Sequence, residues 1–479
     1  MRNSKYENSY GITWGIITSS KTTYRLKIEN SEYTSAAPVV ILNQIEYTLY
    51  LLAFLNSKIT EYIVSIINPT LNLSVGEILK LPFVESNLKN KIDYLAETCV
   101  NISQQEWDSR ETSWDFEKSP LLMESSITEA YKSYCDFWTK EFFQMHSNEE
   151  ELNRLFIEIY NLQDEMDEKV ELKDITLLKN EIMRVTSKGK KKKSEDDEEE
   201  DSSIVMEDGK PVFNRNEIAK QLLSYIIGCA LGRYSIDKPG LIMANSDDKL
   251  DLSNGFKVLG LDGEIRHNIQ NPRMVPSIDG IIPLTDKNYF GNTDIIEIVE
   301  NFLKTIWGEA VLEENLDWVA KSLKDSEESS RDIIRSYFIN DFMEDHIKRY
   351  NKRPIYWLIT SNGKGKDAGF NALIYLHRYN QNTMPLLRNR YVNELQAKVS
   401  LKLEIDRKRE LETNLTTIEK RKIKKDIELA QKQLNELIDL DKKLNNLINQ
   451  NISLDLDDGV KVNYFKIQNE EDILYKIKL

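Results

Sequence analysis

The residues best suited to binding a charged ligand are concentrated between His346 and Tyr391. This segment holds nine Lys and Arg residues against one acid, Asp367, and so carries a net charge of +8. The whole chain of 479 residues carries -15, so the rest of the chain is strongly acidic. Lys and Arg side chains that neutralise phosphates supply most of the sequence-independent affinity of proteins for DNA. We predict DNA contacts by Lys348, Arg349, Lys352, Arg353, Lys364, Lys366, Arg378, Arg388 and Arg390.

A glycine-rich stretch, Ser361 to Gly369, presents two of these lysines. It follows the strand-like run Pro354 to Thr360 and precedes a second strand-like run, Phe370 to Leu376. A dinucleotide-binding turn would need a helix next and an acid about 20 residues further on, yet no Asp or Glu occurs before Glu394. We therefore predict a β-hairpin with a mobile basic tip. The alternative is a basic face that pairs with acidic helices of the same protein.

Motifs for bond-making chemistry are scarce in this sequence. The pattern GxxxxGK followed by Ser or Thr is missing, which argues against a P-loop ATPase. The four histidines lack HExxH spacing, and the three cysteines stand singly, so neither a zinc hydrolase nor a disulfide framework is indicated. We predict no catalytic, cofactor-binding or metal-ligating residue in this chain.

The elements that must position the basic residues are predicted to form an α+β, predominantly helical chain. Its predicted segments are an α/β module at 1–85, a helical spacer at 86–187, a charged linker at 188–205, a mixed α/β domain at 206–391, a helical hairpin at 392–450 and a tail at 451–479. The linker follows from the block Lys188–Asp201, which cannot bury apolar surface. No apolar run reaches the roughly 20 residues that a bilayer needs, and no secretory signal is present. We predict a cytoplasmic location and no membrane partner.

Periodicity gives more detail within the first module. Apolar residues spaced by three and four from Glu46 to Ile67 predict one helix with a buried face that includes Ile63 and Ile66. Proline at position 69 should end this helix at Asn68. The alternation over Leu71–Gly76 then predicts a half-buried strand.

A heptad spacing predicts the helical hairpin. Residues stepping by four and three form one seam: Ile423, Ile427, Ala430, Leu434, Leu437, Asp441, Leu444 and Ile448. An earlier run, Leu411 to Ile418, is out of phase with this seam by one residue. We therefore predict an antiparallel coiled-coil hairpin that turns near Thr413–Lys420.

Several segments resemble one family. Gly11-Ile12-Thr13-Trp14 with Tyr24-Arg25, LLAFLNSK and NPTLNLSVGEI are similar to the distal part of the target-recognition domain of fused adenine-specific DNA methyltransferases. The stretches EWDSRETSWDF, SYIIGCALGRYS, HIKRYNKRPIYW and FNALIYLHRY narrow the resemblance to the C-terminal portion of the PglX family, the methyltransferases of bacterial BREX phage-defence systems. The resemblance implies double-stranded DNA as a partner. It also implies that bases are read near Trp14 and Arg25.

Complete members of this family carry a glycine-rich S-adenosylmethionine loop and an Asn-Pro-Pro-Tyr motif that holds the flipped adenine. Neither occurs here, because Asn68-Pro69-Thr70 lacks the second proline and the aromatic residue. The resemblance thus implies S-adenosylmethionine as the cofactor of the complete enzyme and no cofactor in this chain. We expect a split, truncated or partial product that does not methylate DNA alone.

Three functions follow as hypotheses. The first is the DNA-recognition and scaffold half of a BREX-type adenine methyltransferase, with a separate catalytic half or other BREX components as further partners. The second is a specificity subunit of a restriction-modification complex, which LLAFLNSK would suit equally well. The third is an assembly scaffold that does not touch DNA.

Overall fold

The structure, a computed structural model, describes residues 9–17, 21–29, 31, 34–68, 70, 72–186, 202–412 and 415–477. It divides into two compact units: Met1–Trp107 with Lys132–Asn214, and Asp108–Tyr131 with Arg215–Leu479. Residues 188–201 of the predicted charged linker lie outside the described residues. Helices far exceed strands, which confirms the predicted α+β, predominantly helical fold.

The first unit combines small antiparallel sheets with helices. Its strands are β1 (Gly11–Trp14), β2 (Tyr24–Lys27), β3 (Val39–Val40), β4 (Arg184–Thr186), β5 (Ser202–Ile204), β6 (Met206–Glu207) and β7 (Lys210–Pro211). The helices up to this point in the chain are α1 (Thr48–Leu55), α2 (Lys58–Ile67), α3 (Val75–Ile78), α4 (Lys89–Asp108) and α5 (Ile127–Ile159). β1 lies between β2 and β3. The core of this unit includes Ile12, Trp14, Tyr50, Phe54, Ile92 and Phe156.

The prediction of one helix from Glu46 to Ile67 is wrong, because two helices occupy this stretch. α1 ends at Leu55, α2 begins at Lys58, and the two are bent by 75°. Ser57 gives the reason: its hydroxyl accepts a hydrogen bond from the backbone N–H of Thr60 and caps a new helix. Ile63 packs against the core as predicted, but Ile66 is 63% exposed. Among the described residues no single helix is both long and apolar enough to cross a bilayer.

The strand predicted over Leu71–Gly76 is also wrong, because its end belongs to α3. Ser74 and Glu77 form a capping box, in which the Glu77 carboxylate accepts from the backbone N–H of Ser74 at 2.9 Å. The pattern Ser-x-x-Glu starts a helix, and here it overrides the apolar alternation.

The second unit surrounds a buried antiparallel sheet. Its strands are β8 (Lys249–Asp251), β9 (Phe256–Leu259), β10 (Ile265–Ile269), β11 (Ile281–Pro283), β12 (Tyr356–Thr360) and β13 (Asn371–Tyr375). Its further helices are α6 (Arg215–Leu231), α7 (Ile295–Trp307), α8 (Leu312–Leu323), α9 (Ser330–Asn340), α10 (Phe342–Arg349), α11 (Thr383–Leu386), α12 (Asn393–Glu410), α13 (Thr417–Gln450) and α14 (Gly459–Gln468). β13 lies between β11 and β12, and every residue of β12 and β13 is buried. The predicted β-hairpin is therefore confirmed.

α12 and α13 form an antiparallel helical hairpin. Later residues of α12 contact earlier residues of α13: Gln396 Nε2 donates to the Leu437 carbonyl, whereas Arg407 donates to Gln431. α13 begins with a second capping box, made by Thr416 and Glu419. Its buried side chains are Ile423, Ala430, Leu437, Leu440, Leu444 and Leu447, so the predicted seam is occupied in part and shifts toward Leu440 and Leu447.

Candidate nucleic-acid interface

The nine predicted basic residues lie on separate elements of the second unit. They end α10 (Lys348, Arg349), follow it before β12 (Lys352, Arg353), lie in the β12–β13 loop (Lys364, Lys366), follow β13 (Arg378) and precede α12 in a π-helical turn (Arg388, Arg390). The five residues of β12 span about 16 Å at 3.3 Å per residue, and they separate the first two groups from the loop. The nine residues therefore come from five different segments of the second unit.

Arg349 is engaged inside the protein. Its guanidinium lies 3.2 Å from a carboxylate oxygen of Glu111 and 3.5 Å from Glu217, and its side chain is only 12% exposed. The same Glu111 oxygen accepts a hydrogen bond from the Ser224 hydroxyl at 2.5 Å. Burial disfavours the charged guanidinium, but Glu111 and Glu217 outweigh burial and raise the pKa of Arg349. This arginine is a structural cation.

Arg378 is engaged in another way, by main-chain carbonyls. It donates to the carbonyl oxygens of Ser277 at 2.6 Å, Ile278 at 2.7 Å and Leu231 at 3.2 Å. Burial lowers the pKa of Arg378 to about 10. The side chain thus satisfies a loop that would otherwise bury unpaired carbonyl groups.

Arg388 and Arg390 each have an acidic partner. Arg388 forms two hydrogen bonds with Asp441, at 2.7 and 3.2 Å, which fasten the start of the hairpin to α13. Arg390 lies 3.3 Å from the buried carboxylate of Asp279, which also accepts from the Tyr391 hydroxyl at 2.8 Å. Asp441 was predicted as a seam residue, and its partner explains why an acid occupies that position.

Four of the nine residues remain exposed and without an ion pair among the described residues: Lys352, Arg353, Lys364 and Lys366. Lys348 is exposed too, but it pairs with Glu344 one turn earlier on α10 at 3.0 Å. DNA binding by the four exposed residues stays a prediction. The structure leaves these four with side chains that solvent and a polyanion can reach.

Side chains hydrogen-bond to the glycine tip that carries Lys364 and Lys366. The Asn362 side chain accepts from the backbone N–H groups of Lys364 at 2.9 Å and Gly365 at 3.0 Å. Glu436 of α13 accepts from the Ser361 hydroxyl and from the Gly369 N–H. Asn362 and Glu436 therefore hydrogen-bond to this loop, and the mobility of its tip stays a prediction.

Trp14 and Arg25, predicted to lie near the base-reading surface, differ sharply in exposure. Trp14 is 2% exposed, its indole N–H donates to the Leu73 carbonyl at 2.8 Å, and its ring packs against Tyr24. Trp14 is thus a core residue of the first unit. Arg25 lies on β2 opposite Thr13 of β1, and its side chain is exposed.

Arg25 has an acidic neighbour on α5. Burial raises the pKa of Glu149 to about 7, and Lys21, His146 and Arg25 act in the opposite direction. Arg25 therefore lies within electrostatic reach of a carboxyl group that titrates near neutral pH. Its positive charge is partly compensated whenever Glu149 is ionised.

The glycine-rich loop Ser361–Gly369 lacks the form of a dinucleotide-type cradle for S-adenosylmethionine. This loop follows β12 and leads into the antiparallel strand β13, not into a helix. Its donor N–H groups at Lys364 and Gly365 are already bonded to Asn362. Among the described residues no group of three His, Cys, Asp or Glu side chains is arranged to hold a metal ion.

The most specific sequence motifs converge on one buried polar cluster in the second unit. Glu111 and Phe116 come from EWDSRETSWDF, Ser224 and Tyr234 from SYIIGCALGRYS, Arg349 and Tyr356 from HIKRYNKRPIYW, and Tyr375 from FNALIYLHRY. Phe116 contacts Tyr234 edge to face, and Arg233 joins the hydroxyls of Tyr234 and Tyr375 at 3.1 Å each. These motifs therefore build a rigid internal frame.

His346 belongs to this frame and not to the charged surface. Its Nε2 accepts from the backbone N–H groups of Ile355 at 3.2 Å and Tyr356 at 3.1 Å, which requires a neutral ring with the proton on Nδ1. Burial, with the charges of Arg349 and Arg233, lowers the pKa of His346 well below its ordinary value. The histidine fixes the turn that leads into β12.

Sequence reasoning missed a second basic cluster, at the end of the helical hairpin. The run Lys420-Arg421-Lys422-Ile423-Lys424-Lys425 is visible in the sequence, and Arg407-Lys408-Arg409 faces it across the turn. Counting charges over short windows would have found this cluster. The stretch was interpreted only as part of the heptad seam.

Comparison with known proteins shows that the chain is similar to part of longer proteins. No protein-family model matches it. It aligns over its whole length with the adenine-specific methyltransferase PglX of Lacticaseibacillus casei (strain Zhang), at 34% identity over 493 positions covering 36% of that protein. It also aligns over its whole length with the adenine-specific methyltransferase BrxX of Escherichia coli O9:H4 (strain HS), at 33% identity over 489 positions covering 37% of that protein. The chain thus spans little more than a third of these relatives, as a C-terminal portion would.

Proposed function

We propose that this chain is the DNA-recognition and scaffold half of a BREX-type adenine-specific DNA methyltransferase. The observation that carries the proposal is the alignment of the entire chain with two proteins named as adenine-specific methyltransferases, each nearly three times its length. A portion of that size without a methyl-transfer motif suits a role in holding the substrate. Double-stranded DNA is the substrate that the proposal implies.

Phosphate contacts would position the DNA on this chain. In protein–DNA complexes such contacts fix register and orientation, and separate side chains read base edges in the grooves. Lys352, Arg353, Lys364 and Lys366 are free for the first task. Of the two residues predicted to lie near the base-reading surface, Trp14 is buried, so Arg25, which is exposed on β2, is the one available to read bases.

S-adenosylmethionine would supply the methyl group in a complete enzyme, and we assign its binding to residues outside this chain. The described loop Ser361–Gly369 does not fit it, for the reasons given above. The internal frame around Glu111 and Arg349 would act as the rigid support that keeps the DNA-facing loops in place.

A fluorescence-anisotropy titration of the purified chain on duplex DNA tests this proposal. We expect binding whose affinity falls steeply with salt, and calorimetric titration with S-adenosylmethionine should give no heat of binding. Failure to bind any duplex at low salt would contradict the recognition role. Binding of S-adenosylmethionine at micromolar affinity would contradict the division of labour.

A second candidate function is an assembly scaffold that does not touch DNA. The observation in its favour is that four of the nine predicted basic residues are engaged within the protein: Arg349, Arg378, Arg388 and Arg390. The titration separates the two functions, because a scaffold would show no salt-dependent binding to DNA.

A further inference from the structure

The end of the helical hairpin is strongly basic. We call residues 407–412 and 415–425 the hairpin tip. It contains eight Lys and Arg residues against three acids, a net charge of +5. The basic residues are Arg407, Lys408, Arg409, Lys420, Arg421, Lys422, Lys424 and Lys425. They come from the end of α12 and the start of α13, so folding of the hairpin brings two separate runs together.

These charges are compensated only weakly: Glu419 lies within electrostatic reach of Arg409, and Asp426 and Glu428 follow the run on α13. All eight side chains are exposed, and within the described residues none of them forms an ion pair. Arg407 donates one hydrogen bond, to the neutral side chain of Gln431 at 2.9 Å. Of the three acids, Glu419 is committed to the capping box, where it accepts from the backbone N–H of Thr416 at 2.8 Å.

The hairpin carries the tip away from the rest of the second unit. The hydrogen bonds that fasten α13 to elements outside the hairpin begin at Gln433, which donates to the Gly369 carbonyl at 3.0 Å, and continue at Glu436. Lys420 lies 13 residues before Gln433, or about 20 Å along the helix at 1.5 Å per residue. That distance is about two Debye lengths at physiological salt, so acids beyond the hairpin hardly attenuate the field of the tip.

We propose that the hairpin tip binds the phosphate backbone of duplex DNA, an inference that rests on the proposed function and assigns it a surface. Basic side chains surround the exposed side of α13, because Ile423 alone in the run 420–425 is buried against the hairpin. Residues four apart, such as Lys420 with Lys424 and Arg421 with Lys425, project together from adjacent turns. This arrangement offers several cations to one polyanion.

The geometry favours contacts along the backbone over readout of bases. Two packed helices, each about 10 Å across with axes 8–10 Å apart, are too wide for a major groove about 12 Å wide. The tip therefore lies on the rims of the groove. Its contribution is independent of DNA sequence and strongly dependent on salt.

An anionic membrane is the rival ligand, because Leu411 and Ile418 are 82% and 80% exposed at the turn. Two apolar side chains are fewer than a membrane-surface helix presents, since such a helix buries a continuous apolar face. The observations therefore favour DNA, and the membrane becomes an outcome of the test.

The test uses the full chain and two four-residue variants with equal changes in charge. The tip variant is Lys420→Gln, Arg421→Gln, Lys424→Gln and Lys425→Gln. The matched variant is Lys352→Gln, Arg353→Gln, Lys364→Gln and Lys366→Gln. Anisotropy titrations on a 30-base-pair duplex between 50 and 200 mM salt give the slope of log affinity against log salt for each protein. A parallel arm measures sedimentation with vesicles rich in phosphatidylserine.

We expect the tip variant to lower the magnitude of the salt slope by up to about 3.6, at about 0.9 for each phosphate that is no longer neutralised, and by more than the matched variant does. An unchanged slope in the tip variant, with the parent chain still binding DNA, would overturn this inference and leave the proposed function standing. Loss of vesicle binding without loss of DNA affinity would also overturn it. A parent chain that binds no DNA would overturn both.

Discussion

The basic segment His346–Tyr391 and the hairpin tip lie close together in the chain, yet their charges have different surroundings. In the segment, four of the five arginines face acids or carbonyls supplied by other elements, as Arg349 faces Glu111 and Arg388 faces Asp441. In the tip, no described acid pairs with any of the eight cations. Net charge per window therefore says little about a ligand until the partners of each charge are known.

The two regions also differ in what their basic side chains contact within the protein. The engaged arginines join elements of the second unit that are distant in sequence. The tip has no such role, because it touches mainly the other helix of its hairpin. Each of the following experiments substitutes one residue and compares it with a control variant or with the parent chain.

The largest effect is expected from Arg349→Ala. This change leaves Glu111 buried without its cation, and breaking a buried pair costs about 3–5 kcal/mol of unfolding free energy. Thermal unfolding of the second unit measures it. The control is Lys348→Ala, the preceding residue of α10, whose side chain is 69% exposed and whose loss should cost under about 1 kcal/mol. Equal destabilisation by the two variants would contradict the assignment of Arg349 as a structural cation.

A somewhat smaller effect is expected from Leu437→Ala in α13. This residue is fully buried where α13 joins the core of the unit, and truncating it should cost about 2–5 kcal/mol. Limited proteolysis should then cut within the hairpin sooner. Leu429→Ala, on the same helix but mostly exposed, is the matched control and should leave the digestion rate unchanged. Faster cleavage in both variants would mean that α13 is not anchored there.

Glu149→Gln tests the carboxyl group of Glu149, which lies within electrostatic reach of Arg25. Burial raises the pKa of Glu149 from 4.5 to about 7, so the folded state holds its proton more tightly than the unfolded state does. That contribution to stability is present below about pH 4.5 and is lost as the pH rises to 7. The variant should therefore be more stable than the parent at pH 8, by about 1–2 kcal/mol after discounting for solvent, and nearly equal to it at pH 4.5. If the melting temperature of the variant differed from that of the parent by the same amount at both pH values, this pH dependence would be refuted.

The smallest effect is expected from Lys424→Ala at the tip. Because this side chain has no ion pair among the described residues, its removal should change the unfolding free energy by less than about 0.5 kcal/mol. Arg388→Ala, which breaks the two bonds to Asp441, is the contrasting variant and should cost about 1 kcal/mol or more. A larger loss from Lys424→Ala than from Arg388→Ala would show that the tip carries a structural interaction.

Local patterns predicted the elements that depend on neighbours in the chain. The strands on either side of Ser361–Gly369 and the turn between α12 and α13 were both visible in the sequence, because turn residues and heptad spacing act over a few positions. The errors had local causes as well. Ser57 and Ser74 start helices through caps, and the apolar pattern around them concealed this.

The candidate site was harder to predict, because its electrostatics depend on distant residues. Arg349 and Glu111 are 238 positions apart, and nothing near either residue indicates the other. The tip could have been predicted from the run Lys420–Lys425, in which five cations stand between the single acids Glu419 and Asp426 and form no ion pair among the described residues. Exposure without an ion-pair partner, and not abundance of charge, is what distinguishes the tip from the structural network around Arg349.

Lysine reactivity in the presence and absence of duplex DNA tests the central claim most directly. Acetylation of the full chain under mild conditions, read by mass spectrometry, reports which amines the DNA covers. We predict strong protection of Lys420, Lys422, Lys424 and Lys425, weaker protection of Lys352, Lys364 and Lys366, and none of the exposed Lys140 on α5. Protection confined to Lys352, Lys364 and Lys366, with the hairpin tip unchanged, would contradict the account.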